Sequence, residues 1–338
     1  MPILPAGFGQ SMREALRLVR GRDPLAATRV IRQALSGGRP EQARSQPRPQ
    51  PAPDARAPAA PGRDNAVPGE VIAGHYAGAA GARAWRLYVP SRPAAPADSR
   101  LVLMLHGCTQ DPDDFALGTR MDAAAEKRGW HVLYPAQTKA ANFNKCWNWF
   151  SPNHQTRERG EPAILAAMTR EIMAGRDIRS ACVAGLSAGG AMALVMGDVH
   201  PELFDAVLSH SGIAAGAARD LPSALAAMKS GPDPLPARPY GPRLMIVQGA
   251  EDRTVVARNA DVIENAVETS GTPRRSSARE AGREVERRVI EDADGKPRVA
   301  TLRISGLGHA WSGGAPGGSY VDPQGPDVSE EFARFVEA

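Results

Sequence analysis

Short apolar runs alternate with helical stretches along most of this 338-residue chain. Runs typical of strands occur at seven places: Trp85–Val89, Leu101–Leu105, His131–Tyr134, Cys182–Leu186, Ala206–Leu208, Leu244–Val247 and Ala300–Ile304. Most of the later runs are separated by stretches of helical character: Phe115–Arg128, Glu161–Ala174, Ala188–Val199 and Ala257–Thr269. Strands that alternate with helices predict an α/β fold with a mostly parallel central sheet and helices on both faces.

One segment near the C-terminal end departs from this alternation. The runs Glu284–Ile290 and Arg298–Ile304 flank the sequence Asp292-Ala293-Asp294-Gly295. An Asp-Gly pair between alternating runs is typical of an antiparallel hairpin. We therefore expect an antiparallel hairpin at an edge of the sheet, whereas the continuously apolar Leu101–Leu105 is typical of a buried central strand.

The first 69 residues do not share this pattern. Residues 1–37 are predicted to form a short helical hairpin, and residues 38–69 a disordered linker rich in Pro and Arg. Eleven Arg and four acidic residues give residues 1–63 a charge of +7; the whole chain carries +4, so the remaining residues carry −3. Since no aromatic residues are interspersed among these arginines, nucleic-acid binding is not expected and a solvated basic tail is favoured.

Several classes of protein are disfavoured by the sequence. No apolar run approaches the roughly 18 residues of a membrane-spanning helix, so no transmembrane segment is expected. The N-terminus lacks a basic segment followed by an apolar one, so no signal peptide is recognised and a cytoplasmic location is the default expectation. The three cysteines, Cys108, Cys146 and Cys182, are too few for a disulfide scaffold and lack the spacing of a zinc site, so no metal is expected.

The pentapeptide Gly185-Leu186-Ser187-Ala188-Gly189 lies between a predicted strand and a predicted helix. A sharp turn there holds a serine in a strained conformation with its hydroxyl clear of the sheet, and the positions two residues to either side must be small. In a chain with 34 glycines the pattern alone could arise by chance, as a turn with an idle serine. Because an apolar strand precedes it and a helix of small residues follows, Ser187 is predicted to be a nucleophile.

A serine nucleophile needs a base, and the base needs an acid that orients it. In this architecture the three follow in the order Ser, acid, His. Asp252 and Glu251 compete for the acid, and Asp252 is preferred because Thr254-Val255-Val256 resumes an apolar pattern two residues later. Of the seven histidines only His309 comes after Asp252, so it is the predicted base. The alternatives are a surface carboxylate or helix cap for Asp252, and a loop or pocket-lining residue for His309.

Acyl transfer also needs hydrogen-bond donors where the substrate carbonyl becomes an oxyanion. The backbone N–H groups of Ala188, directly after the nucleophile, and of Cys108, after an early strand, are predicted to supply them. Gly107 allows the backbone to approach closely, while His106 is expected to have a structural role.

Six stretches resemble the esterase, poly(3-hydroxybutyrate) depolymerase-type family of α/β-hydrolases, in the family's order: LVLMLHGCTQ, NKCWNWF, GEPAILAAMTREIM, VAGLSAGGAMA, GAEDRTVVARNAD and GHAWSGG. The resemblance covers about residues 84–336. It implies an α/β-hydrolase fold, with a catalytic domain over residues 70–338, and a Ser187–His309–Asp252 triad that needs no cofactor. The implied substrates are carboxylic esters such as polyhydroxybutyrate-type polyesters, their oligomers and related short-chain esters.

The resemblance leaves alternatives open. Related enzymes are feruloyl and acetyl esterases, and the same triad serves thioesterases and peptidases. The alternative of another class is a non-catalytic binding protein on a hydrolase fold. Family members are often secreted, so an extracellular location is the alternative to the cytoplasm. No polymer-binding domain is seen after the catalytic stretch, which favours oligomers and small esters over crystalline polyester, and residues 1–69 are the candidate contact for a polymer granule or partner.

The family resemblance also bears on two of the cysteines. Cys108 lies beside the predicted oxyanion site, and Cys146 begins the aromatic segment Cys146-Trp147-Asn148-Trp149-Phe150. In an oxidising compartment a disulfide between them would pin that segment over the site, whereas in the cytoplasm both would be free thiols. Both states remain open at this point, and Cys182 is expected to be a small buried residue.

Aromatic residues and one long segment are candidates for shaping the substrate site. Five aromatic residues are predicted to line an apolar cleft for acyl or alcohol groups, with core packing as the alternative: Trp147, Trp149, Trp311, Phe150 and Tyr320. Residues 213–242 are predicted to be either a lid or a passive surface segment.

Overall fold

The computed structural model describes residues 67–338. The predicted helical hairpin over residues 1–37, and the linker as far as residue 66, lie outside the described residues. In the described part, ten strands form one sheet: β1 (Glu70–Gly78), β2 (Gly81–Val89), β3 (Arg100–Leu105), β4 (His131–Pro135), β5 (Ser180–Leu186), β6 (Ala206–His210), β7 (Arg243–Gly249), β8 (Arg274–Glu280), β9 (Arg283–Glu291) and β10 (Pro297–Ile304). Two short strands, β11 (Trp311–Ser312) and β12 (Val321–Asp322), form a separate parallel pair.

The strand order across the sheet is β1-β2-β4-β3-β5-β6-β7-β10-β9-β8. Neighbouring strands from β4 to β10 run parallel, and the strands outside them are antiparallel to their neighbours. The predicted mostly parallel sheet is therefore confirmed, and the predicted hairpin forms between β9 and β10. It does not end the sheet, however: β10 pairs with β7, β8 lies outside β9, and a second antiparallel pair lies at the opposite end.

Helices cover both faces of the sheet. Residues 67–338 contain seven α-helices: α1 (Pro112–Thr119), α2 (Met121–Glu126), α3 (Gly160–Ala174), α4 (Ala188–Val199), α5 (Leu221–Ser230), α6 (Arg258–Asn265) and α7 (Val328–Glu337). Side chains of β3 alternate between two apolar clusters, as a strand buried on both faces requires. Leu103 and Leu105 belong to the cluster that contains residues of α3, α4 and α6, whereas Val102 and Met104 belong to the cluster that contains residues of α1, α2 and α7.

Two edge strands and one helix break are not evident from the sequence pattern. β8 is exposed along almost its whole length and consists mostly of polar residues. In β1 the more buried positions alternate with exposed ones, but the exposed positions include apolar residues, so its sequence lacks the apolar–polar alternation that marks a half-buried strand. The predicted helix Phe115–Arg128 is two helices, because Arg120 adopts a left-handed conformation with φ of 57°. Its backbone N–H donates to Ala116 O at 3.2 Å and so caps the first helix.

The carboxyl ends of parallel strands lie at a single edge of a sheet, which is where ligands bind in α/β proteins. The loops that follow β3, β5, β7 and β10 carry Cys108, Ser187, Asp252 and His309 respectively. The strand order thus directs all four predicted functional residues to one edge of the sheet.

Candidate active site

Ser187 lies on a sharp turn between β5 and α4. Its backbone has φ of 57° and ψ of −119°, a conformation that residues with a Cβ rarely adopt. A Cβ at Gly185 would overlap the backbone of Gly189, and a Cβ at Gly189 would overlap the carbonyl of Leu105 on β3. The two glycines therefore let the turn pack closely, and the Ser187 N–H donates to His210 O at 2.9 Å, which attaches the turn to β6. This is the strained strand-to-helix turn that the pentapeptide predicts.

His309 Nδ1 lies 2.7 Å from Asp252 Oδ2. Asp252 is buried, and its Oδ1 accepts the backbone N–H groups of Thr254 and Val255, both at 2.9 Å. Burial acts to raise the pKa of Asp252, but the hydrogen bond and charge of His309, together with those N–H groups, lower it below its ordinary value. The carboxylate thus stays ionised and holds the imidazole with Nδ1 as the donor, which leaves Nε2 free.

The competing acid, Glu251, has a different environment. Its side chain is exposed, and its backbone N–H donates to Leu307 O at 2.9 Å. That bond joins the loop after β7 to the loop after β10, two residues before His309. Asp252 is therefore the acid that contacts the histidine, and Glu251 helps to join the two loops through its backbone alone.

The carbonyl of His210, at the end of β6, anchors the serine turn. The imidazole of the same residue lies against the segment after β10 that carries His309, called here the histidine loop (residues 305–312). Its Nε2 accepts the Ser312 N–H at 3.4 Å, and its ring stacks on Trp311 with centroids 5.2 Å apart. Burial lowers the pKa of His210 to about 3, so it is neutral. Among residues 67–338, no hydrogen bond joins Ser187 Oγ to the His309 imidazole; such bonds are often long in ligand-free hydrolases and tighten in the substrate complex.

Two backbone N–H groups beside Ser187 have no acceptor within the described part of the chain. Ala188 is the first residue of α4, where an N–H has no partner inside the helix. The other belongs to Cys108, next to Gly107, at which a Cβ would lie 3.7 Å from the Cβ of Ser187. Both donors predicted for the oxyanion site are thus unpaired, and both belong to residues next to the serine turn.

His106 supports the loop that carries Cys108. It is buried; its Nε2 accepts the Gln137 N–H at 3.1 Å, and its Nδ1 donates to Gly107 O at 2.7 Å. Burial lowers the pKa of His106 to about 4, which keeps the ring neutral and lets Nε2 act as an acceptor. This environment gives His106 the structural role expected from the sequence.

The model of the family described as Esterase PHB depolymerase matches residues 83–288, which is more than half of the chain. The chain belongs to the esterase PHB depolymerase family. A poly(3-hydroxyalkanoate) depolymerase C from Paucimonas lemoignei is 31% identical over 262 residues, which cover 70% of this chain and 58% of the relative. A feruloyl esterase B from Neurospora crassa is 33% identical over 143 residues, or 40% of this chain and 47% of the relative.

The relatives are longer than the part of them that aligns with this chain. The chain spans about half of their length. Among solved structures, an acetyl xylan esterase from Aspergillus awamori superposes with a TM-score of 0.59 at 19% identity, over 79% of this chain and 100% of that chain. The predicted α/β-hydrolase fold is confirmed, and so is the family resemblance.

In this member of the family, a disulfide joins Cys108 to Cys146. It attaches the loop after β3 to the segment that contains Trp147 and Trp149, and Thr109 N donates to Asn144 O at 2.6 Å beside it. Of the two states left open by the sequence, the structure has the disulfide. The third cysteine, Cys182, is buried on β5, as expected.

The three tryptophans expected in the substrate cleft are buried instead. The exposed fractions of Trp147, Trp149 and Trp311 are 0%, 6% and 1%. Trp147 Nε1 donates to His106 O at 3.1 Å, and Trp311 packs edge-on against Phe115 with ring centroids 5.7 Å apart. The structure therefore corrects the expectation that these tryptophans line the cleft: they pack in the core. A large aromatic ring is stabilised most when both of its faces are removed from water.

Other aromatic residues of the predicted set are more open. Phe150 is partly buried, whereas Tyr320 is 47% exposed and lies edge-to-face against His309 with centroids 6.5 Å apart. Residues 213–242 contain α5, and Gln155 Nε2 donates both to Ala218 O in that segment and to Trp149 O. That part of the segment is thus joined to the loop that the disulfide holds.

Glu161 is a functional candidate that the sequence reasoning overlooked. It is a buried carboxylate at the start of α3 that accepts Asn148 N and Asn148 Nδ2, both at 2.7 Å, and also Gln137 Nε2. Burial acts to raise the pKa of Glu161, but the hydrogen bond and charge of His154 and the Asn148 and Gln137 donors lower it overall. Glu161 therefore holds the Cys146 segment through its ionised form. An isolated acidic residue at the start of an apolar helix, as in GEPAILAAM, was the available signal.

Within residues 67–338 there is no cluster of His, Cys, Asp and Glu side chains that could hold a metal ion. In the same range, no helix is both long enough and apolar enough to cross a membrane.

Proposed function

We propose that this chain is a serine esterase that hydrolyses carboxylic esters through Ser187, His309 and Asp252. The observation that carries the proposal is the 2.7 Å bond between His309 and the buried Asp252. His210 on β6 links the segment that carries His309 to the strained turn of Ser187, because its carbonyl accepts the Ser187 N–H and its imidazole accepts the Ser312 N–H. A strained serine followed in the chain by an acid and a histidine is the arrangement of α/β-hydrolase nucleophiles.

The reaction follows from the roles of these side chains. Ser187 Oγ attacks the ester carbonyl while His309 Nε2 removes its proton, and His309 then donates that proton to the leaving alkoxide. Asp252 keeps the ring oriented and stabilises its protonated form through Nδ1. A water molecule, deprotonated by His309 in the same way, then cleaves the acyl-enzyme and releases the carboxylic acid and the free serine.

The N–H groups of Cys108 and Ala188 are the proposed donors to the oxyanion. Donors that have no protein partner and cannot reorient are effective because they need no rearrangement as charge develops, and each is worth about 3 kcal/mol in the transition state. The Cys108–Cys146 disulfide and the buried His106 keep the first of them in place. A disulfide in this position also supports an oxidising compartment, rather than the cytoplasm, as the location of the protein.

The substrate class that we favour is a polyhydroxyalkanoate-type ester, above all its oligomers or related short-chain esters. The depolymerase from Paucimonas lemoignei is the relative that supports this choice, since it aligns with 70% of the chain. The feruloyl esterase aligns with a shorter part at similar identity, so feruloyl or acetyl esters are the second candidates. Residues 1–69 remain a proposed contact for polymer or partner.

The decisive experiment compares wild type with Ser187→Ala on p-nitrophenyl butyrate and on a panel of hydroxybutyrate oligomers, C2–C8 esters and methyl ferulate. We expect activity to fall at least about 10³-fold in the variant, because the nucleophile is lost. A fluorophosphonate probe should label Ser187 in the wild type only. Unchanged hydrolysis by Ser187→Ala would reject the mechanism, and an unlabelled, inactive wild type would favour the binding-protein alternative.

A further inference from the structure

Two non-glycine residues beside the candidate active site have left-handed backbones and face each other. Thr109 has φ of 69° and Tyr320 has φ of 53°. A β-branched or bulky residue in this region is an outlier, because its Cβ crowds the neighbouring carbonyl. Outliers that the surrounding structure maintains are concentrated at catalytic and ligand-binding sites. The left-handed backbones of Thr109 and Tyr320 therefore indicate that the positions of these two side chains matter for ligand binding or catalysis.

Hydrogen bonds of the backbone on both sides of Tyr320 hold it in place. Its carbonyl accepts the Trp311 N–H at 2.8 Å, directly before β12 pairs with β11. On the other side, Ser319 donates its N–H and its hydroxyl to Asp114, at 2.8 and 2.5 Å, and Gln110 Nε2 donates to Ser319 O at 3.1 Å. Through its Oε1, the same Gln110 accepts the N–H of Gly107, in the loop after β3 that carries Cys108 (residues 106–110, the oxyanion loop). Tyr320 is therefore fixed between the histidine loop and the oxyanion loop.

The side chain of Tyr320 spans these two loops and stays open to solvent. Its ring meets the His309 ring edge-to-face, and its hydroxyl lies 3.3 Å from Thr109 Oγ1. With 47% of the residue exposed, one part of the ring and the hydroxyl can be reached by a ligand. A ring so close to the imidazole is placed to touch a bound ester.

The protons of the two hydroxyls are not equivalent. Thr109 Oγ1 donates its single proton to Cys108 O at 2.5 Å. In the 3.3 Å pair, the Tyr320 hydroxyl is then the donor, since each hydroxyl has only one proton. A ligand carbonyl that approaches can accept the Tyr320 proton instead, at the cost of a weak, exposed bond to Thr109.

The position of Tyr320 relates it to the alcohol part of the ester. Because His309 protonates the leaving alkoxide, the alcohol part must lie against the imidazole, and so beside the Tyr320 ring. In a 3-hydroxyacyl ester the alcohol part carries the carbonyl of the next unit, which is a hydrogen-bond acceptor. A simple alkyl alcohol has none.

We propose that Tyr320 determines specificity on the alcohol side: its ring packs against the aliphatic alcohol part, and its hydroxyl donates to a carbonyl oxygen within that part. The site would then prefer 3-hydroxyacyl esters over simple alkyl esters with the same acyl group. This inference rests on the proposed esterase function and adds the substrate feature that Tyr320 recognises.

The test uses two butyryl esters of secondary alcohols: ethyl 3-(butyryloxy)butanoate, whose alcohol part has a carbonyl, and sec-butyl butyrate, which lacks it. Butyrate release gives kcat/KM for each, and the ratio of the two is the readout. Tyr320→Phe should lower this ratio about 3- to 10-fold, as expected for the loss of one neutral hydrogen bond. The matched control is Tyr76→Phe on the edge strand β1, for which the ratio should not change.

An unchanged ratio in Tyr320→Phe would overturn the assignment. If that variant does not fold, Tyr320→Gly replaces it, because glycine adopts φ of 53° without strain and also lacks the hydroxyl. If the wild type cleaves neither ester and Ser187 is not labelled by a fluorophosphonate, the proposed function itself fails. If it cleaves both esters with equal kcat/KM, only the role of Tyr320 fails.

Discussion

Asp252 divides its two oxygens between different partners: Oδ2 binds His309 Nδ1 at 2.7 Å, and Oδ1 binds two backbone N–H groups of its own loop. The backbone bonds fix the carboxylate whether or not the histidine is charged. The orientation of His309 is therefore set by the loop after β7, which is in turn joined by hydrogen bonds to the loop that carries the histidine.

Asp252→Asn should lower kcat about 10³- to 10⁴-fold, because an amide cannot hold the imidazole in the tautomer that leaves Nε2 as the base. The measurement is steady-state hydrolysis of p-nitrophenyl butyrate, with thermal unfolding to verify that the variant folds. Glu251→Gln is the matched control, since the adjacent carboxylate is exposed and should be dispensable. Equal losses in the two variants would contradict the assignment of the acid.

Glu161→Gln should destabilise the protein by about 3 kcal/mol at pH 7, because the donors around a buried carboxylate lose their ionic acceptor. Folding lowers the pKa of Glu161 below its ordinary value of 4.5. The ionised Glu161 therefore contributes fully to the free energy of unfolding above pH 4.5. This contribution is lost as the pH falls through the lower pKa that Glu161 has in the folded state.

The difference in unfolding free energy between wild type and Glu161→Gln should consequently shrink below about pH 4.5, as measured by urea titration at several pH values. Glu171→Gln is the control on the same helix, because its side chain is exposed and the change should stay within about 0.5 kcal/mol. A difference that does not depend on pH would show that Glu161 is not ionised in the folded protein.

Removal of the Cys108–Cys146 disulfide should destabilise the protein by about 3 to 4 kcal/mol, as expected for a cross-link that closes a loop with a sequence separation of 38. It should also lower kcat, because Cys108 carries a proposed oxyanion donor. The comparison is wild type with and without dithiothreitol against the double variant Cys108→Ser/Cys146→Ser. The reductant should have no effect on the double variant; if it has none on the wild type either, the disulfide does not support the site.

Much of the architecture could be predicted because apolar periodicity reports burial directly. The strands from β3 to β7 are buried on both faces and read as continuous apolar runs, so the parallel centre of the sheet was evident. The strands β8 and β1 could not be predicted in this way, because an exposed edge strand is held by backbone hydrogen bonds that almost any side chain permits. The helix break at Arg120 could not be predicted either, because an arginine in the sequence does not indicate that its backbone is left-handed.

For the candidate site, chain order and local turn chemistry singled out Ser187, Asp252 and His309, because each follows a strand and the order of the triad is set by the topology. The prediction that the tryptophans line the substrate cleft was wrong, because the sequence beside a catalytic motif does not show whether an aromatic residue faces a ligand or the core. Burial depends on what packs against it from distant parts of the chain, as Phe115 does against Trp311.

The sequence by itself determined the strand-to-helix turn at Ser187 and the alternation that builds the sheet, because both follow from residues close together in the chain. Only the tertiary structure decided that Asp252, rather than its neighbour, contacts His309, that Glu161 supports the Cys146 segment, and that Tyr320 lies between the imidazole and Thr109. These contacts join residues as far as 211 positions apart, and such contacts depend on how the loops pack at the sheet edge.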